Sequence, residues 1–589
     1  MTYFRVNTMK YSFRSLLSYG RLTGRSEGRS LLLSGNLDAI PAAVAGFLII
    51  QALARHGGIG VSPDSVVYIS TAANIHDHGL IDDFTNMPVM DFPALYPIFL
   101  SGIQFLTGQS ILSAGPILNG FLFAALIWIS GWLMERFSFA SKEHPADVHS
   151  SRWHPASGWS SKWYKWTLLL FIVFSPCLLE VYSMIWSETL FILLSLLFIV
   201  ACHRYFRTHS TGALVTAGLI AGLACVTRYA GVSLIGMGGL LMLCDGGLPF
   251  RKATVRKKIG HMLLFGLVAL APLALNLYRN HRLTGTMTGY REKGLTSLSE
   301  NLHDFGSVFC DWLPFFNERY GSATLVGIIF ILGITAFFVF RLVRRKDFFS
   351  YDTIAISYFI VYTGFILFSA TVSRFQELDS RLLSPLFLPW LWGSTCWIPA
   401  WLGRRRQHLN SPDNTSLVRP SASAPLSDSA PRRPAPIPWR PASIAMVIAA
   451  AACFGWGEWT EWRLNWNGIR FAGIPGYTED QWRKSATMDY VRNNSAVLQT
   501  NGTIYSNAFE GLWFLAGIRS ELIPHKEIPE DIRYMMIEKK FTVVWFDDSE
   551  NDDLIDIDYI KKNKQLVSEQ HFNDGAIYFF ATEPPGAAH

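Results

Sequence analysis

Charge is what this chain has little of. Asp, Glu, Lys and Arg make up 16% of its 589 residues, where a soluble globular chain carries about 25%. That deficit argues against a wholly soluble protein. Cysteine is sparse as well. The seven cysteines are too few and too scattered for a disulfide framework, and no pair has metal-ligand spacing. Cys177, Cys202, Cys225, Cys244, Cys396 and Cys453 lie in or beside apolar blocks, where a free thiol acts as a small hydrophobe. No small-residue cleavage site follows the basic stretch over 5–29, so an uncleaved first helix is expected rather than a signal peptide. A convincing internal repeat is also missing. The net charge of +6 does not point to nucleic acid, because the basic residues sit in short stretches between apolar blocks.

Apolar sequence is abundant: 50% of the residues are hydrophobic and 14% aromatic. It falls in blocks, many of which approach the ~20 residues that cross a bilayer as a helix. The expected class is an α-helical polytopic membrane protein with about eleven spans. These run over 37–55, 112–136, 165–180, 186–206, 213–229, 230–244, 259–279, 321–343, 353–373, 382–401 and 441–459. Lys/Arg-rich loops such as Arg251-Lys252, Arg344-Arg345-Lys346 and Arg404-Arg405-Arg406 mark the cytoplasmic side. Residues 1–36 then form a cytoplasmic tail, 37–401 a transmembrane domain, and 56–111 its first outer loop. The short apolar stretch 94–106 is expected as a helix dipping into the outer interface. Residues 402–440, rich in Pro, Ser and Arg, read as a disordered cytoplasmic linker. Beyond the last span, 460–589 reads as a small extracytoplasmic α/β domain, with strands at Thr503-Ile504-Tyr505, 541–546 and 576–580 and an amphipathic helix over 481–493.

Two acids stand out on the first outer loop. Asp64 lies in Val61-Ser62-Pro63-Asp64-Ser65, and Asp91 precedes a rigid proline turn in Met90-Asp91-Phe92-Pro93. A carboxylate at the mouth of a helical membrane protein is expensive to keep near lipid and is a functional candidate. Paired at a cavity mouth, one acid can deprotonate an acceptor hydroxyl while the other orients it. The competing account makes both solvated loop acids. Glu188 begins a helix at its outer end, where the helix dipole alone favours a carboxylate; substrate binding competes equally with that account. Glu180 is a weaker case of the same kind. His76-Asp77-His78 and Asp82-Asp83 could hold a divalent cation, but a third ligand at suitable spacing is missing and a wet loop is the plainer reading. Asn493-Asn494-Ser495 and Asn501-Gly502-Thr503 fit the glycosylation pattern, which recurs by chance.

The ordered set Pro63-Asp64-Ser65-Val66-Val67-Tyr68, Asp91-Phe92-Pro93-Ala94-Leu95-Tyr96-Pro97, Leu118-Asn119 and Asp379-Ser380-Arg381-Leu382 resembles glycosyltransferase family 39. This group of GT-C membrane enzymes includes protein mannosyltransferases and the lipid A aminoarabinose transferase. The resemblance covers roughly 37–400. It implies a sugar donor on polyprenyl phosphate, used at the outer face of the plasma (inner) membrane, with inversion at the anomeric carbon. Asp64 matches the first-loop catalytic acid and Asp91 the second. Tyr68 and Tyr96 fall within the matched motifs as substrate-binding candidates. The chain departs where Phe92 stands in place of the aminoarabinose transferase's lysine, and no arginine follows Asp64 closely.

Phosphate contacts must therefore come from elsewhere. Arg228, Arg279, Arg291 and Arg381 lie at or near expected outer helix ends, and guanidinium suits phosphate oxygens. For Arg279 and its neighbour Arg282 the competing account is interfacial anchoring. The expected partners are a polyprenyl-phosphate sugar, a lipid, glycan or protein acceptor, and the bilayer, with no certain cofactor. A transporter or flippase for lipid-linked sugars is the alternative, and a lipid-to-polymer ligase a third reading. The acids cluster at one face, whereas transporters place charge near the bilayer midplane.

Overall fold

The computed structural model describes residues 36–137, 158–245, 252–289, 293–313, 322–344, 348–373, 377–396, 398, 440–549, 551 and 553–581. The expected N-terminal tail and the 402–440 linker lie outside the described residues, apart from Asn36 and Arg440. The membrane part is helical. Its elements are α1 (Ile40–Leu53), α2 (Pro63–His78), α3 (Leu95–Thr107), α4 (Ile111–Met134), α5 (Gly158–Phe174), α6 (Pro176–Ser183) and α7 (Glu188–Thr208). There follow α8 (Thr211–Thr227), α9 (Val232–Cys244), α10 (Lys252–Thr284), α11 (Leu298–Asp311), α12 (Ala323–Arg344), α13 (Tyr351–Val372), α14 (Ser380–Thr395) and α15 (Arg440–Ala472). Among the described residues, five helices are long and apolar enough to cross a membrane, six if the pair α5–α6 is one span bent by 49°. The bend falls at Ser175-Pro176, where proline cannot continue the hydrogen-bond ladder. The stretches α1, α3, α8 and α9 are apolar but shorter.

Packing separates the helices into an inner set and a lipid-facing rim. Leu263, Leu267 and Leu275 on α10 and Leu325, Ile329 and Leu332 on α12 are exposed, as suits helices bathed in lipid. Between them, small residues allow close approach. Gly218 and Gly222 form a G-x-x-x-G face on α8; a Cβ at Gly222 would stand 2.9 Å from the Ala269 carbonyl oxygen of α10. At the end of the bundle away from α2, Lys165 is buried with its ammonium on Asn36 Oδ1 (2.8 Å), Asp38 Oδ1 (2.6 Å) and the Glu135 carboxylate. This clasp ties α1, α4 and α5 together.

Residues after α15 form the α/β domain. Five strands, β1 (Thr503–Ser506), β2 (Glu521–Leu522), β3 (Lys540–Phe546), β4 (Gln565–Phe572) and β5 (Gly575–Ala581), make one sheet in the order β2-β1-β3-β5-β4. β1 runs parallel to β2 and β3, with Tyr505 opposite Val543; β5 is antiparallel to β3 and β4, with Val543 opposite Tyr578. Helices α16 (Asp480–Arg483), α17 (Ala486–Asn493), α18 (Ser495–Thr500), α19 (Phe509–Ala516), α20 (Pro529–Ile537) and α21 (Ile557–Asn563) accompany it. The single helix expected over 481–493 is two. Ser485 breaks it, its hydroxyl accepting from Met488 N at 2.9 Å as the N-cap of α17. Helix α15, over the last expected span, runs past its expected end to Ala472.

The domain is not hung on a tether. One apolar cluster joins Val61, Val66 and Phe84 of the first loop to Tyr477, Trp482, Leu512 and Phe546 of the α/β domain. Tyr477 N donates to Val61 O at 2.8 Å and Thr478 Oγ1 to Ile59 O at 3.0 Å. Gly476, at φ +114°, lets the chain come this close, since a Cβ there would meet Val61 O at 2.4 Å.

Candidate functional site

The site forms where α2, α7 and α14 begin. Ser62 caps α2 in a capping box with Ser65, Pro63 occupies the first turn, and Asp64 follows it. A carboxylate there is favoured by the helix dipole. The strand-like stretch before α2 is stitched to the turn before α7, with Gly60 N on Ser183 O (2.9 Å) and Ile185 N on Gly60 O (3.1 Å). A Cβ at Gly60 would run into the Met184 and Ile474 side chains, so a larger residue there requires both to move. Buried Asn119 on α4 holds the same turn, donating to Tyr182 O at 3.0 Å and Met184 O at 2.7 Å. Trp186 Nε1 then donates to Ser62 Oγ at 2.8 Å, which locks the two helix starts together.

Four charges meet on this frame. The Arg381 guanidinium, one residue into α14, is hydrogen-bonded to the Asp64 carboxylate and, through Nε, to Glu188 Oε1 at 2.6 Å. Arg228 Nη1 reaches the same Glu188 oxygen at 2.6 Å and Ser187 Oγ at 3.1 Å. Arg381 also lies 4.1 Å above the Trp186 ring, a cation–π contact that fixes its plane. Glu188 is fully enclosed, whereas the Asp64 side chain keeps 29% of its exposure. The cluster is neutral, two acids against two guanidiniums. Its open corner is Asp64.

Tyr68, one turn along α2, stands beside these charges, its hydroxyl 3.2 Å from Ser187 Oγ. Burial and then the Asp64 charge push its phenol well above the ordinary range. Tyr96 packs edge-on against Tyr68 with ring centroids 5.0 Å apart and is itself fully enclosed. Asp91 lies against Gly289 of the loop after α10, and its neighbour Phe92 packs edge-on against Tyr68 with ring centroids 4.9 Å apart. Arg279 is engaged with the first loop itself, donating to Val89 O (2.9 Å) and Ile81 O (2.8 Å). Arg291 lies outside the described residues. Glu180, on α6, is exposed. Asp83 closes a turn, accepting from Thr85 N at 2.8 Å and Thr85 Oγ1 at 2.6 Å. Among the described residues, no three His, Cys, Asp or Glu side chains are grouped to hold a metal ion.

Sequence reasoning named Asp64, Glu188, Arg228 and Arg381, paired Asp64 with Asp91 rather than Glu188 with the two arginines, and missed Trp186 and Ser62, which contact them.

Fold and site together define a helical membrane protein whose α/β domain is seated against a buried cluster of two acids and two arginines. No family model and no curated protein matches the chain. Among solved structures it is similar to ArnT from Cupriavidus metallidurans in the apo state, at 12% identity and a TM-score of 0.49, covering 93% of this chain and 98% of that one. It is similar also to the same protein bound to undecaprenyl phosphate, at 12% identity and a TM-score of 0.48, covering 92% and 97%.

Proposed function

We propose that the chain transfers a sugar from a polyprenyl-phosphate donor to a hydroxyl-bearing acceptor at the outer face of the plasma membrane, with Asp64 as the general base. The observation that supports this reading is the pairing of Asp64 with Arg381, a carboxylate in direct contact with a guanidinium, the group that suits phosphate oxygens. The resemblance of the surrounding motifs to family 39 supplies the donor class.

The chemistry closes in charge. The acceptor oxygen bonds to the anomeric carbon as the bond from that carbon to the phosphate oxygen breaks, its electron pair staying on phosphate. The hydroxyl proton passes to Asp64. On protonation Asp64 loses its hold on Arg381, and that guanidinium turns to the charge gained by the leaving phosphate. Glu188 stays ionised between two guanidiniums and keeps Arg228 and Arg381 in place. A single displacement of this kind inverts the anomeric centre. Asp91, on the same loop, is assigned to orienting the acceptor.

The test is transfer by the purified full chain in detergent, with a labelled polyprenyl-phosphate sugar and a cell-envelope lipid extract as acceptor. Labelled product with inverted configuration is expected. A protein that binds and moves the donor across vesicles but forms no product in detergent would be a transporter instead.

A further inference from the structure

The break between α8 and α9 grips two parts of the molecule. Arg228, in extended backbone, closes α8 and turns its guanidinium to Glu188 and Ser187. Tyr229, the next residue, points elsewhere, because successive side chains of an extended stretch alternate. Its hydroxyl donates to Met90 O at 2.9 Å, one residue before Asp91. The same oxygen accepts from Asn280 Nδ2 of α10 at 3.3 Å and has Asn276 Nδ2 3.5 Å away. Both asparagines are buried, on a helix that exposes Leu275 and Tyr278, and an amide inside a membrane helix is costly to keep without a task. Asn276 Oδ1 accepts from Ala94 N at 3.3 Å, three residues past Asp91. Asn280 Nδ2 also donates to Met287 O at 2.9 Å, in the loop that brings Gly289 against the Asp91 carboxylate. Gly289 has φ +76°, and a Cβ there would overlap Asp91 Oδ1, so the approach depends on glycine. Arg279 fixes the Asn280 amide, donating to its Oδ1 at 3.0 Å as well as to Val89 O. Segment 89–94 is thus held on both sides of Asp91, and the hold centres on one phenol.

We propose that Tyr229 is the positioning residue that sets Asp91 relative to the Arg228 cluster, with Asn276 and Asn280 as its supports. This rests on the transferase reading above, in which Asp91 orients the acceptor. Asp64 is tied to the cluster through Arg381. Asp91 is tied to it through the single backbone step from Arg228 to Tyr229 and the bond from Tyr229 to Met90. The spacing between the base and the acid that orients the acceptor is then fixed from both ends, and fixed spacing is what keeps an acceptor hydroxyl in reach of the base. Loosening the hold on Met90 misplaces the acceptor while the guanidiniums of Arg228 and Arg381 stay on Glu188.

The experiment measures transfer by the purified full chain in detergent, with the labelled polyprenyl-phosphate sugar and the envelope lipid extract each varied in turn. Tyr229→Phe keeps the ring and removes the hydroxyl. Its kcat/KM for the acceptor is expected to fall on the order of tenfold, as when a buried hydrogen-bonded junction is broken, with the donor KM unchanged. Asp91→Asn shows a loss on the same side. In the double variant the two losses do not multiply, because without the Asp91 carboxylate the hold on Met90 has nothing left to place. Asn280→Ala loosens the same junction from α10 and serves if the phenylalanine variant does not fold. An unchanged acceptor kcat/KM in either single variant, losses that multiply in the double variant, or a donor KM that rises with the acceptor's, overturns the assignment while leaving the transferase reading intact. A wild-type protein that forms no product overturns both.

Discussion

Arg381 is hydrogen-bonded to Asp64 although 317 positions separate them in the chain. The contact joins the first loop to the start of a late helix, and Glu188 shares the same guanidinium. Asp64 is therefore aimed, with a guanidinium against its carboxylate, before any substrate arrives.

The first consequence concerns Arg381→Lys. A lysine keeps the charge but not the planar fork that spans Asp64 and Glu188 while lying on Trp186. Turnover of the purified variant is expected to fall roughly 100-fold, as when one preorganised donor is removed from an oxyanion site, with thermal stability little changed. A variant turning over at the wild-type rate would separate Arg381 from the chemistry.

Lys165 offers a test of the fold with no bearing on the site. Its ammonium is 2% exposed and joins Asp38 and Glu135. Lys165→Met leaves two carboxylates that are partly solvated, so the loss should be about 2 kcal/mol, below the roughly 3–5 kcal/mol of a fully buried broken pair. Thermal unfolding in detergent measures it, and the Asp38→Asn, Lys165→Met double variant should recover part of the loss.

Seating of the α/β domain depends on Gly476. Alanine there meets Val61 O and a left-handed backbone at once. Gly476→Ala should speed hydrogen exchange at residues 59–62 and 477 by at least tenfold and lower transfer in parallel. Exchange that stays slow would mean that the seam has another anchor.

Stability should also depend on pH through Glu510. Its carboxyl is raised from 4.5 to about 7 in the folded chain. Below pH 4.5 both folded and unfolded forms hold the proton, and the stabilising preference is fully present. Between 4.5 and 7 the unfolded form ionises first, so stability is lost as pH rises, and above 7 none of it remains. The melting temperature of the α/β domain should drop between pH 5 and 7.5, with a smaller slope in Glu510→Gln.

The legible part of this protein was its single charges. Asp64, Glu188, Arg228 and Arg381 each interrupt or border apolar sequence, where an ionisable group is costly to keep without a reason. Their grouping was not legible, because it depends on helices distant in sequence starting at one level. The stitch between Gly60 and Met184 that aligns two of those starts has no periodic signature. The helix-type class and strands β1, β3 and β5 followed from apolar runs. β4, Gln-Leu-Val-Ser-Glu-Gln-His-Phe, is an exposed edge strand whose mostly polar side chains conceal it. The break before α17 turned on one capping serine.

The most direct measurement is sugar transfer by purified Asp64→Asn beside wild type, with folding checked by matched thermal unfolding. Asparagine keeps the shape and can still accept from Arg381, but it cannot take the acceptor's proton at neutral pH. The expected result is donor binding retained and transfer reduced below detection. Transfer by the asparagine variant at the wild-type rate would contradict the assignment of Asp64 as the base.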